Sequence, residues 1–318
     1  MTNTLAELSG LAAYLRGEIL GQPEACDTAV KAILRGELGY GDPGRPRSFL
    51  LFLGETGVGK TEMTLSLARY LYGSDEYAIR LDMAEFGEKR AGLARMVGEG
   101  LGEQGIIADE MDRIDKQLQD RRVSQIRRGR ILLLDEIEKA HPDVSKLFLG
   151  LEAARLRMSN GRMLDFRDTH IICTTNLGSE IAREIGDNVP YSYVKKAVIE
   201  EARGFFSSPV FARFTEVVVF RSLKYDVQRE ICRQKLERKI AFIERKIGQK
   251  VRIGAGLLDW LVKRGYHRDL GARYMRNAIE RELGDAFASW ELKRTRARGD
   301  LCLTIGLAGL RVVSDFSG

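Results

Sequence analysis

No apolar run in this chain is long enough to span a bilayer, so a transmembrane helix is not expected. Met1 to Gly10 lack a basic stretch followed by an apolar one, which argues against a secretory leader. Cysteine is sparse. Cys26, Cys173, Cys232 and Cys302 stand apart, without CxxC spacing, and read as reduced core thiols of a cytoplasmic protein. Histidine is scarcer still: His141, His170 and His267 are scattered, so a histidine metal site is not expected. There is no internal repeat and no low-complexity tract. Residues 87–147 contain no Phe, Tyr or Trp at all. What that excludes depends on the motifs around it.

What is present is enough for a folded core. The chain has 318 residues, 44% of them hydrophobic, a size that suits two domains. The formal net charge of +6 fits either a solvated basic surface or contact with nucleic acid or an acidic protein.

The strongest motif is Gly54-Glu55-Thr56-Gly57-Val58-Gly59-Lys60-Thr61. It follows the apolar run Phe49 to Leu53 and precedes a helical pattern from Glu62 to Tyr72. Strand, glycine loop and helix are the context a phosphate-binding P-loop needs. Glycines let successive N–H groups turn inward, and the helix aims its positive end at the same anion. Lys60 is placed to reach the β and γ phosphates, and Thr61 to bind Mg²⁺.

Residues 1–47 look mostly helical, loosening at Gly41 to Pro46. Strand candidates then alternate with helices: Phe49–Leu53, Tyr77–Leu81, Ile131–Leu134, His170–Thr174 and Glu216–Phe220. Short apolar strands between helices predict an α/β fold, a five-stranded parallel sheet in a three-layer αβα sandwich. After Phe220 the pattern changes. Helical stripes (Val227, Ile231, Leu236, Ile240, Ile243, Ile247, then Met275, Ile279, Leu283, Phe287, Trp290) predict a small, mainly helical domain. Two short strands are expected within it, Lys250–Ile253 and Leu301–Ile305. The expected division is 1–222 for a large α/β domain and 223–318 for a small, mainly helical one.

A second nucleotide motif is Ile131-Leu132-Leu133-Leu134-Asp135-Glu136, a buried strand ending in two carboxylates. Ligands bind at the carboxyl edge of such sheets. Asp135 is positioned for the Mg²⁺ shell, and Glu136 to deprotonate an attacking water. Asn176 ends the next strand, where its amide could hold that water.

These residues converge on a resemblance. The run Asp135-Glu136-Ile137-Glu138-Lys139-Ala140-His141-Pro142-Asp143-Val144 is similar to the segment after the catalytic carboxylates of Clp-type AAA+ unfoldases. Ile19-Leu20-Gly21-Gln22, Arg80-Leu81-Asp82-Met83-Ala84-Glu85-Phe86, Asp165 to Thr169 and Thr175 to Ser179 continue it. The chain resembles the second ATPase module of ClpA/ClpB proteins over roughly residues 15–310. The resemblance implies that Ile19 and Leu20 flank the adenine. It implies that Arg213 is an arginine finger reaching a neighbouring subunit, although Ala212 replaces the usual Asn before it. It also implies that Arg273 is a second sensor on the small domain. With ATP and Mg²⁺ as cofactors, the active form would be a homo-oligomer, most simply a hexameric ring, acting on a protein partner.

The pattern also breaks. The family's first pore loop carries a Tyr in a Gly-Tyr-Val-Gly setting, which grips a threaded chain. Here the corresponding stretch, Val97 to Ile107, has no aromatic. The second pore loop is replaced by Ala153 to Arg162, without the usual acidic, glycine-rich sequence. Segment Arg113 to Arg130 is rich in basic residues, which suits either a solvated helix or a basic collar for nucleic acid; no interleaved aromatic supports base stacking. Two functions remain. The first is a protein-remodelling ATPase that grips with Leu101, Ile106 or Ile107. The second is a non-threading AAA+ switch, torsin-like or of the transposition and conjugation type, whose ATP state controls assembly with a dedicated protein partner or DNA.

Overall fold

The computed structural model describes residues 2–100, 103–120, 129–144, 147–186, 189–266, 273–293, 299–307 and 309–314. Its strands are β1 (Ser48–Leu53), β2 (Ala78–Asp82), β3 (Arg130–Asp135), β4 (Arg155–Arg157), β5 (Met163–Asp165), β6 (Thr169–Thr175), β7 (Glu216–Val219), β8 (Val251–Ile253), β9 (Leu301–Gly306) and β10 (Gly309–Ser314). Two compact units form: Met1–Glu55 with Gly59–Ser222, and Thr56–Val58 with Leu223–Gly318.

In the first unit, five parallel strands run in the order β2-β3-β6-β1-β7, with helices on both faces. All six residues of β1 and all seven of β6 are buried. Such strands must be apolar on both sides, and the sequence of β1, Ser-Phe-Leu-Leu-Phe-Leu, is. The helix Lys60–Tyr72 buries Met63, Leu67 and Leu71 at four-residue spacing and stops at Gly73 in a left-handed turn. The predicted strand from Tyr77 instead begins at Ala78, because Tyr77 closes a 3₁₀ turn capped by the Ser74 hydroxyl.

The second unit packs helices Tyr225–Ile247, Leu257–Gly265 and Arg273–Leu292 against a three-stranded sheet, order β10-β9-β8. Its core joins Cys232, Leu236, Ile240 and Ile243 to Met275, Ile279, Leu283, Leu301 and Leu303. Cys232 takes the seam position expected of Ile231, which is only half-buried.

Two features were not expected from sequence. One is β10. The other is the β4–β5 hairpin, which falls in the region read as the second pore loop. Each of β4 and β5 has three residues and buries one, Leu156 facing Leu164. Strands so short leave no measurable alternation. No helix among the described residues is long and apolar enough to cross a membrane. Cys26, Cys173 and Cys232 are free and buried.

One buried polar cluster ties the N-terminal helices to the sheet. Glu37, its side chain 3% exposed, pairs with Arg47 at 2.7 Å. It also lies 3.0 Å from His170 Nε2 and accepts from the Tyr72 hydroxyl at 3.2 Å. Burial keeps the His170 ring neutral, so Nε2–H donates to Glu37 and Nδ1 accepts from the Ser48 hydroxyl at 2.8 Å. Arg47 is therefore the cation. Burial opposes ionisation of Glu37, but the hydrogen bonds from His170 and Arg47 outweigh it and hold the carboxyl at about 2. A carboxyl depressed from 4.5 to about 2 contributes stability above its ordinary pKa and loses it as pH falls. The contribution at neutral pH is on the order of 3 kcal/mol. Urea unfolding should find Glu37→Gln less stable than wild type at pH 7, with the gap narrowing below about pH 5 and closing only as pH falls through about 2. A gap independent of pH would contradict the assignment.

Candidate nucleotide site

Strand register assembles the site. Leu53 pairs with Thr175, and Leu134 with Cys173, so β1, β3 and β6 end together. Gly54, Asp135-Glu136 and Asn176 therefore leave one edge of the sheet side by side.

Two glycines in the loop have no substitute. Gly54 has φ +149°, and a Cβ there would sit 2.9 Å from that of Phe220. Gly59 has φ +112° and caps the helix Lys60–Tyr72, and a Cβ there would lie 3.2 Å from Ile19 Cγ2. Thr56, Gly57 and Val58 complete the turn between them. The buried Lys60 ammonium donates to Gly54 O, to Glu55 O at 2.8 Å and to Asn176 Oδ1 at 2.9 Å. Asn176 is held by its backbone N–H, which donates to Glu138 Oε1 at 3.1 Å.

Asp135 is buried, its two carboxylate oxygens each 3.4 Å from the Thr61 hydroxyl. Thr174 donates to Oδ1 at 2.5 Å, and Arg80 pairs with Oδ2 at 2.8 Å. Glu136 sits in the left-handed region at φ +59°, unusual for a residue with a side chain. Its amide donates to the same Thr174 hydroxyl at 3.0 Å, and its carboxylate meets Lys139 at 2.5 Å. The hydrogen bond to Glu136 raises the Lys139 pKa. Thr61 and Asp135 supply hard oxygens of the kind Mg²⁺ takes beside phosphate and water. Among the described residues no cluster of three or more His, Cys, Asp or Glu could hold a metal by itself.

Ile19 is buried against Gly59, and Leu20 follows it, half-buried, in the turn. The next side chain but one fixes this turn: the Gln22 amide donates to Arg221 O at 2.8 Å and accepts from Arg221 N at 2.9 Å. The buried Glu55 carboxylate accepts from Arg183 at 2.9 Å and from Ser222 at 3.1 Å. Arg213 is not brought to the loop. It bonds Pro209 O, and its Nε stands 2.8 Å from Glu152 as an ion pair without hydrogen-bond geometry. Arg273 opens the helix Arg273–Leu292 of the second unit, and its side chain lies outside the described residues. Sequence reading missed Arg80, Lys139, Thr174, Gln22 and Arg183 as parts of the site. Two cavities of about 580 and 410 Å³ contain none of these residues, so volume is no guide to the chemistry.

A family profile described as "AAA domain (Cdc48 subfamily)" matches residues 45–217. A second, described as the C-terminal D2-small domain of ClpB protein, matches residues 223–302. The chain belongs to the AAA ATPase family, in its Clp branch. Chaperone protein ClpB of Agrobacterium fabrum is 36% identical over 281 residues, covering 86% of this chain and 30% of its own length. A ClpA homologue of Cyanidium caldarium, named as the ATP-binding subunit of a Clp protease, is 35% identical over 298 residues, covering 90% of this chain and 34% of its own length. The chain thus spans about a third of the curated relatives it matches. A cryo-EM reconstruction of closed-state Hsp104 with ATPγS and FITC-casein superposes with TM-score 0.80 at 25% identity, covering 98% of this chain and 52% of that one.

Against the Clp pattern, the aromatic-free stretch is tied down. Ser159, in the β4–β5 hairpin, donates to Val97 O at 2.9 Å and Gly98 O at 2.5 Å. Arg162 reaches across to Gln104 at 2.6 Å and Asp112 at 2.5 Å. Of the residues expected to grip, Ile107 is fully buried, Ile106 is half-buried, and Leu101 lies outside the described residues. Ile107 faces the core because the helix Ile106–Asp120 buries it with Met111 and Ile114. In the described part of the basic segment, Arg113 pairs with Glu110 at 2.7 Å and Arg130 with Asp115 at 2.8 Å. Residues 121–128 of that segment lie outside the described residues.

Proposed function

We propose that this chain binds ATP on Gly54–Thr61 and hydrolyses it to drive remodelling of a protein partner. The observation that carries the reading is the convergence of Lys60, Asn176, Asp135 and Glu136 on one sheet edge.

Loop N–H groups and the helix end receive the phosphates, and Lys60 leaves the Gly54 and Glu55 carbonyls to meet them. Thr61 and Asp135 would hold Mg²⁺, which neutralises charge on the phosphate oxygens. Asn176 and Glu136 orient a water. Its oxygen forms a bond to the γ-phosphorus as the bond to the bridging oxygen breaks. The proton goes to the Glu136 carboxylate. Ile19 and Leu20 flank the adenine. Residues 1–222 act as the large ATPase domain and 223–318 as its lid, with Arg273 as the sensor on that lid. Arg213, paired with Glu152 away from its own loop, serves the loop of a neighbouring copy. That role implies a homo-oligomer, for which we propose a hexameric ring. A cytoplasmic setting fits the unpaired cysteines.

Protein is the proposed substrate class because the similar Hsp104 reconstruction was made with casein and the relatives are named chaperones. The grip differs from the family's aromatic. Ile106 and Leu101 remain as apolar contacts.

Glu136→Gln should bind ATP normally and lose about 10²- to 10⁴-fold in turnover, measured by phosphate release. Lys60→Ala should weaken binding, measured by nucleotide titration. Normal hydrolysis by either refutes the assignment. ATP-dependent unfolding of a tagged reporter is expected from the whole chain, reduced by Ile106→Ala. Full ATPase activity without unfolding, and with ATP-dependent capture of DNA or a single partner, would instead establish the non-threading switch.

A further inference from the structure

We infer that Arg183 is a positioning residue for nucleotide: it neutralises Glu55, a carboxylate built into the phosphate loop, and ATP affinity depends on that pair. The inference rests on reading Gly54–Thr61 as the phosphate site.

A phosphate loop works by pointing N–H dipoles and a positive helix end at an anion. A carboxylate in the second position of that loop opposes the design. Glu55 cannot hand its charge to solvent, because its side chain is only 8% exposed. Nor can the residue stand aside from the cradle, since its own carbonyl accepts from Lys60 at 2.8 Å. The charge is answered locally instead. Arg183 Nε donates to Oε1 at 2.9 Å, and the Ser222 hydroxyl donates to the same oxygen at 3.1 Å.

The partners come from informative places. Arg183 lies on the helix Ser179–Ile185, which starts three residues after Asn176. Ser222 is the last residue before the second unit begins. One carboxylate thus fastens the phosphate loop to the segment carrying Asn176 and to the chain leaving β7. The pair has two effects on the site. It cancels a negative charge beside the triphosphate, and it fixes the loop relative to the amide that shares Lys60.

Removing only the cation leaves a buried carboxylate next to an incoming polyanion. Removing both charges leaves nothing to repel. The test is a double-mutant cycle on the whole chain, titrating fluorescent ATP and ADP analogues and recording thermal unfolding without nucleotide. Arg183→Ala should raise the Kd for the ATP analogue by about tenfold, and for the less charged ADP analogue by less. Glu55→Gln should lower the ATP Kd. The double variant Glu55→Gln/Arg183→Ala should bind ATP much more tightly than Arg183→Ala. If Arg183 only props up its helix, the double variant binds as poorly as the single one. That result, unchanged affinity in Arg183→Ala, or weakened affinity in Glu55→Gln would overturn the proposal. Should Arg183→Ala not fold, the double variant decides: affinity equal to or tighter than wild type supports the pair, and weaker affinity sinks it. Lys60→Ala in the same titration separates the two readings. If it binds normally, the phosphate site itself is wrong. If it fails while Arg183→Ala binds like wild type, only the clamp is wrong.

Discussion

A buried ammonium must be surrounded by oxygen, and Lys60 finds its oxygens on the ends of two strands. Gly54 and Glu55 follow β1, and Asn176 follows β6. These strands are neighbours in a parallel sheet, and their register brings both ends to one edge. The same register carries Asp135 in from β3 on the other side of β6. Everything else at the site elaborates this meeting of three strand ends. Thr174, on β6, donates to the Asp135 carboxylate and accepts from the Glu136 backbone amide, so one hydroxyl ties the acid of Asp135 to the backbone of Glu136. Arg80, on β2, closes the far side of Asp135. The sheet order is therefore a constraint on chemistry as much as on packing.

That edge was legible in the sequence because each part is a contiguous run with a physical signature. A buried strand followed by glycines and Lys-Thr is hard to read otherwise, and so is an apolar strand ending in Asp-Glu. Asn176 could be placed because strand ends in such sheets face the ligand. Most of the missed residues share a different property: their partners are distant in sequence, Lys139 beside Glu136 being the exception. Arg80 meets Asp135 across 55 positions, and Arg183 meets Glu55 across 128. Nothing in local pattern reports such pairings. The β4–β5 hairpin and β10 escaped because they bury too few side chains to print a period, one residue in each of the three strands. Cys232 displaced the expected Ile231 because the helix seam turns on geometry, not on hydrophobicity alone.

In the proposed reading, the motor and the grip of this Clp-type module differ in how far they keep the family pattern. The residues around the P-loop keep the family pattern. The two segments that would face a threaded chain do not. They lack aromatics, and they are bonded to one another through Ser159 and Arg162. The burial of Ile107 narrows the apolar contacts still further. In the proposed reading, an ATP site of Clp type is paired with aromatic-free loops bonded to one another.

The most direct measurement is a cryo-EM map of the whole chain carrying Glu136→Gln, prepared with Mg-ATP. The account predicts triphosphate density on the 54–61 loop, with Lys60 shifted from the Gly54 and Glu55 carbonyls onto phosphate oxygens. It also predicts Arg213 of an adjoining copy at the γ-phosphate. Nucleotide bound elsewhere, or triphosphate on the loop with Lys60 still on its carbonyls, would contradict it.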